Sequence, residues 1–149
     1  MLIRIATLED LYELKLLDHH IHIDELRKVI ILGRVYILEL DKKIIGYLRY
    51  GLFWDNIPFI NLLYILEEYR NLGLGSKIMW YFETEMRVKQ YTRVLLSTQI
   101  NESAKEFYSK IGYKVIGSFT MTNEVEELIM YKDLYLTKTL FIVETLILK

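Results

Sequence analysis

Ile60-Asn61-Leu62-Leu63-Tyr64-Ile65-Leu66, then Glu67-Glu68-Tyr69-Arg70-Asn71-Leu72-Gly73, then Leu74-Gly75-Ser76-Lys77 is the stretch on which the reading of this chain turns. Its first part is almost continuously apolar, the pattern of a central strand covered on both faces. A polar turn follows. A long helix is predicted from about Leu74 to Lys89, because Leu74, Ile78, Tyr81 and Phe82 fall on one side of it, with Glu85 at the charged end of the stripe. Gly73 and Gly75 stand where strand becomes helix. Glycine opens backbone conformations closed to other residues and lets a ligand approach the main chain. The first N–H groups of a helix have no intrahelical partner, and with the helix dipole they suit an anion. The candidate donors are the amides of Leu72, Gly73, Leu74, Gly75 and Ser76, with the Ser76 hydroxyl beside them. Walker A fails here because the order is Gly75-Ser76-Lys77. The dinucleotide fingerprint fails because Ile78 occupies the place of its third glycine. What stays open is a phosphate or pyrophosphate at a helix N-terminus, or simply a helix that starts on a glycine turn.

Working outward, Leu2 to Ala6 reads as a strand, and Thr7 with Asp10 as a capping pair for a helix from about Leu8 to Asp18. A second helix is predicted over Asp24 to Leu32, ending at Gly33. Val35 to Leu40 and Ile44 to Tyr50 read as a hairpin joined by Asp41-Lys42-Lys43. Gly51 to Phe59, with Trp54, Asp55, Asn56 and Pro58, reads as a loop. Arg93 to Thr98 reads as a strand and Asn101 to Ile111 as a helix with Ala104, Phe107, Tyr108 and Ile111 on one stripe. Tyr113 to Thr120 and Glu127 to Tyr131 complete an antiparallel pair. This alternation predicts an α/β (α+β) layer with a partly antiparallel sheet. Residues 134–149 are apolar but carry Lys138 and Glu144, too interrupted for a membrane span. They are expected to form an edge strand or a homodimer contact.

The chain has 149 residues, the size of one domain, so a single domain over 1–149 is expected. With Lys plus Arg at 19 and Asp plus Glu at 20, the formal charge is −1, which supplies no electrostatic reason to bind nucleic acid or an anionic membrane. There is no cysteine, which removes disulfides, thiolate metal sites and cysteine nucleophiles, and fits a cytoplasmic setting. Arg4, Glu9 and Asp10 interrupt any early apolar run, so no signal peptide is expected.

Arg70-x-x-Gly73-x-Gly75 after an apolar strand resembles the Arg/Gln-x-x-Gly-x-Gly/Ala signature of the GNAT superfamily of acyl-CoA N-acyltransferases. Asn101-Glu-Ser-Ala104-Lys-Glu-Phe107-Tyr108-Ser-Lys110-Ile-Gly112-Tyr113 is similar to a second segment of that family. The two occur in order, with a helix and a strand between, and the resemblance runs from Leu2 to about Asp133. It implies a mostly antiparallel sheet of about six or seven strands with a V-shaped splay, flanked by about four helices.

The resemblance also assigns roles. The Leu72–Ser76 amides would hold the CoA pyrophosphate, with Arg70 and Asn71 at the entrance. The ends of the central strand, Ile65 and Leu66, would pair with the pantetheine arm through the backbone, as an added strand does. Asn101 would hydrogen-bond the pantetheine, cap the following helix, or do both. Ala104, Phe107 and Lys110 belong to the same cofactor segment. Tyr108 would be the general acid that returns a proton to the CoA thiolate; without the family, its place on an apolar stripe reads as core packing. The oxyanion would meet a backbone N–H of the central strand near Leu66.

The implied reaction is transfer of an acetyl group from acetyl-CoA to an amine, by direct attack in a ternary complex. A lysine-like amine costs roughly 4–5 kcal/mol to deprotonate at pH 7 and an α-amino group only about 1, so a base matters more for the first. Some family members carry a Glu early in the central strand, where this chain has Phe59, Ile60 and Asn61. Asp55 is the nearest acid in sequence. His19 and His22, in the loop between the first helices, and Trp54 would flank the acceptor. The histidines offer no fixed third ligand, so no metal is expected. The acceptor is a small-molecule or peptide amine. Two alternatives are a non-catalytic acyl-CoA-binding or regulatory module of the same fold, and an interaction domain that dimerises through the tail.

Overall fold

Residues 1–135 are described by a computed structural model, and the role expected of residues 136–149 lies outside them. The strands are β1 (Leu2–Ile5), β2 (Val35–Leu40), β3 (Lys43–Phe53), β4 (Ile57–Ile65), β5 (Arg93–Gln99), β6 (Lys114–Phe119) and β7 (Glu127–Asp133). The helices are α1 (Leu11–Leu17), α2 (Ile23–Ile31), α3 (Leu74–Val88) and α4 (Ala104–Lys110). The strands form one seven-stranded sheet in the order β1-β2-β3-β4-β5-β7-β6. Every neighbouring pair is antiparallel except β4 with β5.

Helices cover both faces. Leu74, Ile78, Phe82 and Met86 of α3 pack with Tyr36, Leu48, Ile60, Leu96 and Met130 of the sheet. Leu11 and Leu14 of α1 and Leu26 and Ile30 of α2 pack on Val35, Ile37 and Tyr47. Strand β2 therefore alternates between two cores and is buried from both sides. The first predicted helix begins one turn late: Leu8–Asp10 forms a 3-10 turn, and the Asp10 carboxylate accepts from the Thr7 N–H at 2.7 Å. Two Arg4 nitrogens also bond that carboxylate, which holds it below the usual carboxylate range.

Two expectations are overturned. Gly51 to Phe59 is not a loop: β3 runs on to Phe53, β4 starts at Ile57, and only Trp54-Asp55-Asn56 turn. Trp54 and Asp55 both take left-handed backbone (φ 52° and 63°), the hand that matches strand twist in a tight hairpin. Pro58 is compatible with the strand because β4 meets β5 only from Phe59 onward. Nor does Asn101 cap the next helix; α4 starts three residues later, with Ser103 in the cap position.

The decisive irregularity lies in β4. Tyr50 pairs with Ile60 and Arg49 with Leu62, so Asn61 is an extra residue, a β-bulge. It reverses the phase of the strand. Ile60 faces α3, and beyond the bulge Leu63 and Ile65 face it, while Leu62 and Tyr64 join the α1/α2 core. An apolar run with no period of two thus serves two cores.

Candidate active site

The β4–β5 pairing consists of Phe59 with Leu95 and Ile60 with Leu96. It stops where the bulge begins. Bulges bend a strand and raise its twist, so β4 parts from β5 and the last residues of the two strands face each other across a slot. The slot has a volume of about 530 Å³. Leu62 and Leu63 line one side and Ser97, Thr98 and Gln99 the other, with Ala104 and Tyr108 of α4 above. The Leu66 N–H donates to Ile45 O at 2.9 Å, so it is turned toward β3 and is not the free donor expected for an oxyanion. In an antiparallel ladder the inward and outward groups alternate, which turns the main chain of Ile65 and Leu63 toward the slot.

In the turn that leads from β4 into α3, Asn71 and Gly73 both have left-handed backbone (φ 60° and 77°). The chain there bends without forming internal bonds. Among the described residues, the amides of Leu72, Gly73, Leu74, Gly75 and Ser76 donate to no protein acceptor, and the first amide of α3 that does is Lys77, to Gly73 O at 3.2 Å. Five donors gathered at a helix N-terminus make a fitting anion cradle. Arg70 closes the end of β4: its Nε donates to Ile65 O at 2.8 Å, and its guanidinium lies 5.6 Å from the Tyr64 ring centre. Gly75 has a reason of its own. A Cβ there would lie 3.2 Å from the Phe107 ring, so its smallness lets α4 pack on the start of α3.

Tyr108 is buried, with 8% of its surface exposed, and it lines the slot. Burial, and then the nearby Glu102 charge, push its hydroxyl pKa up to about 12. Its ring meets Phe107 and Tyr113 edge to face, at 5.1 and 5.8 Å between centres, which fixes its direction. Asn101 and Lys110 are exposed and do not line the slot.

The opposite side of the slot carries residues that sequence reasoning missed. Arg49 Nε donates to Asp18 Oδ2 at 2.6 Å, between positions 31 apart in sequence, and the pair is buried. Asp18 Oδ1 in turn accepts from the His20 N–H at 3.0 Å. Arg49, His20, Asn61 and Glu127 line the slot. Glu127 pairs with Gln99 across strands, and Ile129 with Ser97, so these four share one sheet face. Leu96 and Met130, of opposite phase, pack under α3. Tyr108 and Thr98 therefore look into the slot from the α3/α4 face, and Glu127, Gln99 and Ser97 from the α1/α2 face.

The expected acceptor residues are not assembled as foreseen. His20, not His19 or His22, reaches the slot; His22 instead caps α2, its Nδ1 accepting from Asp24 N–H at 3.2 Å. Asp55 sits at an exposed hairpin tip, at the far end of β4 from the parted strands, and does not line the slot. Trp54 borders an apolar cavity that adjoins the slot at Asn61. Among the described residues, no three His, Asp or Glu side chains are grouped as metal ligands, and no helix is long and apolar enough to cross a membrane.

The β4–β5 pair parts beside Asn61, the turn before α3 leaves amides free, and Tyr108 lines the gap. Residues 6–113 match the model of the acetyltransferase (GNAT) family, and the chain belongs to that family. An uncharacterized N-acetyltransferase of Methanocaldococcus jannaschii, MJ1530, is 27% identical over 81 residues, covering 53% of this chain and 51% of that protein. The matched part is thus about half the length of that relative. The crystal structure of Ard1 from Thermoplasma volcanium superposes with a TM-score of 0.79 at 16% identity, covering 91% of this chain and 98% of that one. A provisionally named streptothricin acetyltransferase from Bacillus anthracis, solved with acetyl coenzyme A, gives 0.61 at 26% identity over 66% of this chain and 61% of that one.

Proposed function

We propose that this chain is an N-acetyltransferase that moves an acetyl group from acetyl-CoA to an amine by direct attack while both are bound. The observations that support this reading are the β4 bulge, the end of β4–β5 pairing beside it, and the five unused amides in the turn that leads from β4 into α3. The amides of Leu72 to Ser76 fit a diphosphate, and the outward main chain of Leu63 and Ile65 fits the amides of a pantetheine arm. Acetyl-CoA supplies the thioester carbonyl and a thiolate leaving group.

The chain's own residues then divide the work. The Leu63 N–H replaces Leu66 as the candidate donor to the carbonyl oxygen. The amine nitrogen forms the new C–N bond as the C–S bond breaks. Tyr108 gives its hydroxyl proton to the departing sulfur. Its raised pKa keeps that proton in place at neutral pH, ready for the departing thiolate. Glu127, on the acceptor side, replaces Asp55 as the candidate group that attracts the ammonium and takes its proton. His20 and the Arg49–Asp18 pair form the wall beside it.

Thiol release from acetyl-CoA with a set of primary amines tests this. Turnover with at least one amine, lost in Tyr108→Phe while acetyl-CoA still binds, is the expected result. Binding of acetyl-CoA with no thiol release for any amine would instead favour a non-catalytic module.

A further inference from the structure

Among the described residues, helices α1 and α2 cover only the β1–β3 half of their sheet face. The other half is a cavity of about 1000 Å³ walled by apolar side chains, among them Phe53, Phe59, Ile116, Phe119 and Ile129, with Trp54 at its edge. Several of these are well exposed: Phe53 is 41% accessible, Ile116 57% and Phe119 41%. This cavity adjoins the slot at Asn61, the bulge residue, which lines both. It also lies on the face from which Glu127 looks into the slot, the acceptor side. Strands advance about 3.3 Å per residue, so Phe59 lies about 7 Å and Ile57 about 13 Å back from Asn61 along β4.

We propose that this cavity seats the body of the acceptor, and that the acceptor is a primary amine bearing an aromatic or branched aliphatic group about 7–13 Å from its nitrogen. The inference rests on the acetyl-transfer reading of the slot. The nitrogen enters the slot beside Asn61 and Glu127, and the apolar body lies along Phe59 and Ile129. A large apolar surface beside a slot that gathers polar side chains matches the usual form of a small-molecule pocket, an apolar body with polar groups that fix orientation. Besides Asn61 at the slot end, the polar side chains Arg93, Tyr131 and Asp133 stand at the far rim, where Tyr131 donates to Asp133 Oδ2 at 2.8 Å.

The test compares 5-phenylpentylamine, whose extended chain carries its ring about 7–10 Å from the nitrogen, with ethanolamine as acceptors, by thiol release from acetyl-CoA. The expected kcat/KM is about 10- to 100-fold higher for the aromatic amine, the range set by burying one ring. Phe59→Ala and the surface change Phe119→Ser should each remove most of that advantage through KM, with the acetyl-CoA dissociation constant kept. Equal use of both amines, or an advantage that survives both substitutions, overturns the proposal. So does a result in which the substitutions change only the melting temperature or the sedimentation coefficient, since the face would then be covered by residues 136–149 or by a second copy. No thiol release with any amine would overturn the transfer reading itself, which separates the two failures.

Discussion

The two sides of the slot are made of different materials. On the α3/α4 side, ligand contact depends on main chain: five unused amides, two left-handed residues and a strand bent by one extra residue, with Tyr108 as the main reactive side chain. On the α1/α2 side it depends on side chains brought from far apart: Asp18 from the end of α1, Arg49 from β3, Glu127 from β7 and Asn61 from the bulge. A backbone cradle can bind a common moiety across many sequences, because it asks only for the turn. A side-chain wall must be rebuilt for each acceptor. In the proposed reading, that difference makes the backbone side the shared coenzyme cradle and the side-chain side the part that selects the acceptor.

The largest expected effect tests the cofactor side. Tyr108→Phe should lower kcat by about 10²- to 10⁴-fold, the usual contribution of a positioned acid, with the acetyl-CoA dissociation constant within about 2-fold of the parent. A drop in affinity of the same size would make Tyr108 a packing residue. Next comes the acceptor side. Asp18→Ala leaves Arg49 buried without its partner and should cost about 3–5 kcal/mol in urea unfolding. If the two sides are as separate as described, the folded fraction should keep its affinity for acetyl-CoA.

A smaller effect is expected at Gly73. Its φ of 77° strains any L side chain although nothing crowds the position, so Gly73→Ala should cost about 1 kcal/mol and weaken CoA binding by about 10-fold. Unchanged affinity would remove the turn from the site. The smallest effects concern pH. The neutral amine is the nucleophile and the neutral phenol the acid. With Tyr108 raised to about 12, kcat/KM should climb with pH to a plateau and show no falling limb through about pH 10. Burial also raises Tyr36, Tyr47, Tyr50 and Tyr113. A folded-state pKa above the unfolded value of about 10 stabilises fully below that pH and is lost as pH rises through the folded one. Melting temperature should therefore fall above about pH 10, with protons released on unfolding.

What could be read from the sequence follows the same division. Glycines 73 and 75 and the apolar strand before them are local patterns, and they gave the glycine turn and α3; the Ala104–Phe107–Tyr108 stripe alone read as core packing, and the acid role of Tyr108 came only with the family resemblance. Even there, the reason for Gly75 was tertiary, namely the Phe107 ring packed against it. The bulge left no local mark, because a run of apolar residues reads the same with or without a change of phase at Asn61. The hairpin at Trp54–Asn56 was missed because Pro58 and a polar trio signal a loop, whereas the paired strands on either side decided otherwise. The Asp18–Arg49 pair joins positions 31 apart and has no signature at all. Without it, the histidine nearest the slot could not be told from its two neighbours.

The central claim is that the unused amides at the start of α3 receive the diphosphate of acetyl-CoA while the parted strands receive its arm. A titration of ¹⁵N-labelled protein with acetyl-CoA, followed by amide resonances, tests it most directly. Large shifts at Leu72 to Ser76 and at Leu63 and Ile65 are predicted, and pantetheine alone should move only the last two. Saturable binding that leaves Leu72 to Ser76 unmoved would contradict the account.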